Sequence, residues 1–329
     1  MDGTYYGVFI LSERVRKGKF RLDLPDPGDS DDALTGGYHM EVDRDDEPVY
    51  YSKHTPVNSK GTPIYGKKIS FQYKNMDQDE FSNAQLNYIH GYIDAFENSL
   101  AATDYKNPET GYRKYIDVTS FIDYMLSTEF CHNVDGYRLS TNLYKYRDSK
   151  DSKFKTSLWD MNLGFGNADY SEGWRSDTWA YNFNDVSPGD NQLVPFWWYK
   201  LLKDDSFMKE VFSTLFVSYE IKKAEKKDDN YTITVDATMK DYKGFNFSTS
   251  EMSTIAEKYQ KEHLSELQEL YKSKGQQAMI EKIYADIAPQ LYASMKEQIK
   301  TIKESKEKML FTVVADGDNW LISKIQVYQ

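Results

Sequence analysis

Asn133-Val134-Asp135-Gly136-Tyr137, then Asn142-Leu143-Tyr144-Lys145-Tyr146, then Leu158-Trp159-Asp160-Met161-Asn162 is the stretch whose reading decides the fold. Just upstream, the apolar spacing from about Val118 to Cys131 predicts a helix, with Asp117 as its N-cap. Downstream, Asn142–Tyr146 and Phe154–Trp159 read as two short strands. A helix, a polar loop and a β-hairpin in succession point to an α+β protein. Asp135 then follows the helix, Asn142 comes several residues later, and Asp160 follows the hairpin.

That order has a chemical reading. A first Asp can orient or deprotonate a hydroxyl. An Asn and a later Asp offer oxygen to Mg²⁺, a hard cation that bridges nucleotide phosphates and leaves room for water. A plainer reading stands beside it: Asp and Asn gather in loops because they cap helices and form Asx turns.

Toward the N-terminus, Asp2-Gly3 is a turn pair and Tyr5–Leu11 an aromatic, β-branched strand. A second strand reads Gly36–Asp43, after a loop over Pro25–Asp32. Opening so abruptly on a strand suggests a domain lacking its natural N-terminal portion. Phe81, Ala84, Tyr88, Ile89, Tyr92, Phe96 and Leu100 form one stripe, predicting a helix over 79–100. Residues 164–195 are rich in Gly, Asn and Asp and read as irregular. Pro195 and Phe196-Trp197-Trp198 open a last helix toward Leu202.

Beyond Leu215 the style changes. All eight arginines, five of six tryptophans and eight of nine prolines precede it. Residues 1–215 carry a net charge of −10, and residues 216–329 only −1. Two domains, 1–215 and 216–329, are therefore expected. In the second, Val217–Ala224 and Tyr231–Ala237 read as paired strands. Two amphipathic stretches follow, interrupted at Gly275, whose stripes should bury each other and cover the sheet. Leu310–Val314 and Trp320–Val327 flank an Asp316-Gly317 turn.

Composition narrows the function. The 329-residue chain has a net charge of −11 and a pI near 5.1, which argues against a nucleic-acid surface. No apolar run is long enough to cross a membrane, and no signal peptide is visible. The single Cys131 excludes an internal disulfide framework, and the five histidines lack zinc spacing.

With these motifs in view, residues 3–210 resemble the CotH kinase family, the spore-coat-protein-H-type atypical kinases. The matching stretches are Gly3–Glu13, Thr35–Tyr38, Gly111–Phe121, Asn133–Asp135, Asn142–Asp148 and Trp159–Gly166, with support from Pro195–Trp198 and Asp204–Phe207. The resemblance implies a protein-kinase-like phosphotransferase using ATP and Mg²⁺, acting on Ser or Thr of an envelope or coat protein, in the cell envelope or spore coat. It implies Asp135 as the catalytic Asp, Asn142 as the Asn that follows it, and Asp160 as the metal-binding Asp. Glu13 matches an acidic strand-end position on the nucleotide side. The family's upstream nucleotide-binding segment has no counterpart, so a region truncated of those strands, and inactive for that reason, is one expectation. The strand Tyr38–Asp43 carries Glu41 where a basic residue would help, and Lys17, Lys19 and Arg21 are the substitutes at hand.

The second domain weakly resembles cystatin-like or nuclear-transport-factor-two-like domains of bacterial envelope lipoproteins. An alternative from another class is a non-catalytic envelope protein binding glycan or a protein partner through the aromatic loop 164–198. Trp174, Trp179, Trp197 and Trp198 would form its stacking platform, although core packing is the commoner use of such residues.

Overall fold

The computed structural model describes residues 15–18, 21–228, 230–241, 249–316 and 319–328. The strand expected over Tyr5–Leu11, and Glu13 with it, lies outside the described residues. The chain divides into two compact units, Met1–Val211 and Phe212–Gln329.

The first unit contains α1 (Asp31–Leu34), β1 (Tyr38–Val42), β2 (Val49–Tyr51), β3 (Ser70–Tyr73), α2 (Asn83–Ala101), α3 (Val118–Cys131), β4 (Thr141–Lys145), β5 (Phe154–Ser157), α4 (Phe183–Val186), α5 (Phe196–Leu202) and the start of α6 (Asp205–Leu215). Helix α2 starts four residues later than its stripe suggests, because Ser82 caps it. The Ser82 hydroxyl accepts from the Gln85 N–H, and the Gln85 side chain accepts from the Ser82 N–H. Helix α3 spans Val118–Cys131 with Asp117 capping Ser120 N–H, as its spacing predicts.

The strands form one antiparallel sheet in the order β2-β3-β1-β4-β5. Alternation gives it two unlike faces. Tyr38, Met40, Val42, Phe71, Leu143 and Phe154 point to one side, where they meet Ile89, Ile93 and Phe96 of α2, Phe121 of α3 and Trp197 and Trp198 of α5. Trp197 and Trp198 are fully buried, so half of the expected stacking platform is core; Trp174 and Trp179 are exposed. Two glutamates fasten this core, Glu97 fully buried and Glu129 half-buried. Glu97 accepts from Ser52 and the Trp197 indole, and Glu129 from Tyr137 and the backbone of Ala180 and Tyr181.

The second unit contains β6 (Ser218–Lys227), β7 (Asn230–Lys240), α7 (Thr249–Glu262), α8 (Leu264–Thr301), β8 (Glu304–Asp316) and β9 (Asn319–Tyr328). Its strands run β6-β7-β8-β9, all antiparallel. Strand β8 starts at Glu304 because it pairs along the whole of β7, a length its charged first residues do not signal. Gly275, at φ 84 and ψ 177, kinks α8. The helical stripes do bury each other, through Tyr259, Leu267 and Ile287. The sheet keeps a separate cluster of Val235, Ala237, Met309 and Phe311. The expectation that the helices also cover the sheet is therefore corrected among the described residues: the stripe of one helical arm is consumed by the other.

Candidate functional site

The second face of the first unit's sheet is polar. Register places Gln72, Glu41, Asn142 and Ser157 in one row across β3, β1, β4 and β5, with His39 and Tyr144 in the next. The row is buried: His39, Glu41, Gln72 and Asn142 are each at most 6% exposed. The amide of Asn142 donates to Glu41 Oε1 at 3.0 Å and to the Ser140 carbonyl at 3.1 Å. Its Oδ1 therefore accepts the Nε2–H of His39 at 2.6 Å, leaving His39 Nδ1 as an acceptor. That Nδ1 is buried without a partner, as is Ser157 Oγ beside Asn142. Glu41 Oε2 in turn pairs with Lys74 Nζ at 2.8 Å.

Burial sets the charges here. It pushes the His39 imidazole down to about 4, so the ring is neutral at pH 7. It also pushes the Glu41 carboxyl up, against the hydrogen bond and charge of Lys74 and the hydrogen bond of Asn142.

Two loops meet the end of this face. Helix α3 stops at His132, whose left-handed backbone (φ 49, ψ 54) turns the chain into Asn133–Ser140. There Asp135 Oδ1 accepts from Arg138 and from the Tyr170 hydroxyl. Burial and that bond to Asp135 raise Tyr170 above the ordinary phenol range. Arg138 is itself held by Asp190, the carbonyls of Val134 and Gln192, and the ring of Phe183. The other loop leaves β5 and carries Asp160, again left-handed (φ 56, ψ 48), exposed and without a hydrogen bond or ion pair among the described residues.

Because β4 and β5 are antiparallel, the loop entering β4 and the loop leaving β5 lie at the same end of the hairpin. Two contacts join them. Asn133 Nδ2 reaches Met161 Sδ at 3.5 Å, and Phe165 N–H donates to the Cys131 carbonyl. Gly164 packs so closely on Cys131 that an added Cβ would sit 3.0 Å from the cysteine Cβ. Topology thus gathers Asp135, Asn142 and Asp160 at one end of one hairpin, although no hydrogen bond links the three among the described residues.

Among the described residues no group of three or more His, Cys, Asp or Glu could hold a metal ion. The candidate set is instead two carboxylates and an amide, oxygen donors suited to Mg²⁺ with retained waters. Asp160 is free to ligate, and Asn133 Oδ1 next to its loop is buried without a partner, as are His39 Nδ1 and Ser157 Oγ. The residues fit a hydrated hard cation and its phosphate oxygens.

Sequence reasoning missed His39 and Lys74 and undervalued Glu41. The alternation Ser70-Phe71-Gln72-Tyr73-Lys74 was the available signal, since it places Gln72 and Lys74 on one face. Of the proposed substitute cations, Lys17 is paired with Asp26, Arg21 has partners of its own, and Lys19 lies outside the described residues.

A two-faced sheet with Asp-bearing loops at one end of a central hairpin defines the class: an α+β domain whose antiparallel sheet has one apolar and one polar face. Residues 1–221 match the CotH kinase protein family, and the chain belongs to it. No curated protein and no solved structure matches the chain.

Proposed function

We propose that this chain is a phosphotransferase that moves the terminal phosphoryl group of ATP, with Mg²⁺, onto a Ser or Thr hydroxyl of a protein partner. The observation that carries the reading is the common end of the β4–β5 hairpin, where the Asp135 loop, Asn142 and the Asp160 loop converge beside buried polar atoms that lack partners.

Asp135 has one oxygen held by Arg138 and Tyr170, which fixes the carboxylate and leaves Oδ2 to orient the attacking hydroxyl and take its proton. The hydroxyl oxygen bonds to the terminal phosphorus as the bond to the leaving diphosphate breaks. Asp160 and Asn142 would hold Mg²⁺, which when bound supplies charge neutralisation on the phosphates. His39 and Glu41 fix the Asn142 amide from both ends. An envelope or spore-coat location belongs to the same proposal and rests on the family.

Transfer of labelled phosphate from ATP to casein or to a candidate coat protein tests the reading. Incorporation that needs Mg²⁺ and vanishes in Asp135→Asn supports it; incorporation unaffected by that variant refutes the assignment. The exposed indoles of Trp174 and Trp179 favour a second reading, a non-catalytic binding module. Glycan binding that Trp174→Ala abolishes, without any response to ATP, would select it.

A further inference from the structure

The polar face described above, with the Asp135 and Asp160 loops at its end, needs a cation to hold a polyphosphate, and the basic groups around it are unequally committed. Arg138 is buried and tied to Asp135 and Asp190. Lys155 is shared by Asp117 and Asp151. Lys145 points to the opposite face, fully buried against Asp148 and the Thr35 carbonyl. Lys74 differs. Its side chain keeps 28% exposure, and its ammonium makes one strong bond, to Glu41, plus a long one of 3.4 Å to Gln72. With three donors, it retains one for a ligand.

Glu41 explains why Lys74 stands there. A buried carboxylate is costly unless it is paired, and this one divides its oxygens between Asn142 and Lys74. The result is a hydrogen-bonded chain from His39 through Asn142 and Glu41 to Lys74. It ties the candidate metal-holding amide to a partly exposed cation on the same face. Along that chain His39 Nδ1 and Ser157 Oγ remain buried and unpartnered, so the face is incomplete as it stands.

We infer that Lys74 is the phosphate-binding cation of this site and that Glu41 is its positioning residue. The assignment rests on the nucleotide reading above. It supplies, from the residue that follows β3, the grip that the sequence did not reveal. The ammonium contacts phosphate oxygens, so its contribution is present for ATP and absent for adenosine.

Calorimetric titration of the full chain with MgATP and with adenosine separates the possibilities. Lys74→Ala should weaken MgATP roughly tenfold or more and leave adenosine within about twofold, because the charge-assisted bonds lost to the ligand are those to phosphate, which adenosine lacks. Lys74→Arg should recover most of the affinity, and Glu41→Gln should weaken MgATP in the same direction by less. Equal weakening of both ligands, or MgATP binding that survives Lys74→Ala, overturns the inference while leaving the nucleotide reading intact. A wild-type chain that binds no MgATP overturns both. Lys74→Ala leaves Glu41 without its cation and should lower the melting temperature, so a native circular-dichroism spectrum at the titration temperature, together with the retained adenosine affinity, excludes misfolding as the cause.

Discussion

The two faces of the five-stranded sheet are built from the same short strands and end in opposite states. On one face Tyr38, Met40, Val42 and Leu143 close against α2, α3 and α5. On the other, His39, Glu41 and Asn142 are as deeply buried and bonded to one another, with His39 Nδ1 left without a partner. Burial alone therefore does not distinguish core from site here. Unpartnered polar atoms alone do not either, since Trp198 Nε1 in the core also lacks one; the polar face is set apart by its run of hydrogen-bonded side chains, His39 to Asn142 to Glu41 to Lys74.

The comparison breaks first at the core. Trp197→Ala should cost about 3–5 kcal/mol of stability in the first unit, since it removes a fully buried ring stacked on Phe71 and edge-on to Phe96 and strands Glu97. Denaturant unfolding measures it, and a loss below about 1 kcal/mol would show that this face is not the closed one. On the polar side, Asp135→Asn should lower phosphoryl transfer roughly 10³-fold with the melting temperature nearly unchanged. A large drop in melting temperature would instead make Asp135 a structural residue.

Glu97 and Glu129 sharpen the contrast through pH. Burial raises both Glu97 and Glu129 from 4.5 to about 7 in the folded chain. The fold then binds more protons than the unfolded chain between those values. Their contribution is complete below about 4.5 and is lost as pH rises through about 7. His39 acts oppositely: its contribution is present above 6.5 and lost as pH falls through about 4. Two carboxyls outweigh one imidazole, so melting temperature should fall from pH 5 to 7, and Glu129→Gln should flatten that fall. An unchanged slope would mean that Glu129 is ionised throughout. Smallest of all, Trp174→Ala should shift stability by less than about 0.5 kcal/mol and leave MgATP binding alone, because the indole is exposed. Loss of nucleotide binding in that variant would extend the site onto the aromatic loop.

Much of the fold was legible where local signals agree. Asp117 and the stripe of α3 marked that helix at both ends, and the strands β1, β4 and β5 followed from alternation. β2 and β3 were not legible, because three or four residues carry too little period, and their pairing with β1 is long-range. That omission hid half the site. Asp135, Asn142 and Asp160 stood out as loop and strand-edge polar residues near a hairpin. Glu41 looked like a defect because its partner Lys74 directly follows β3, a strand that only tertiary pairing reveals. In the second unit the strands were visible, but the division of its apolar residues into two clusters depends on how the kink at Gly275 folds the helices together.

The most direct measurement is the thermal unfolding of the full chain with and without MgATP, in the wild type and in Asp160→Ala. A ligand that binds the folded state must raise its stability in proportion to occupancy. The midpoint should rise clearly for the wild type and not for Asp160→Ala, each compared with its own ligand-free midpoint, since the exposed Asp160 side chain makes no hydrogen bond among the described residues. A wild-type midpoint that ignores MgATP, or a variant that rises as the wild type does, would contradict the nucleotide reading.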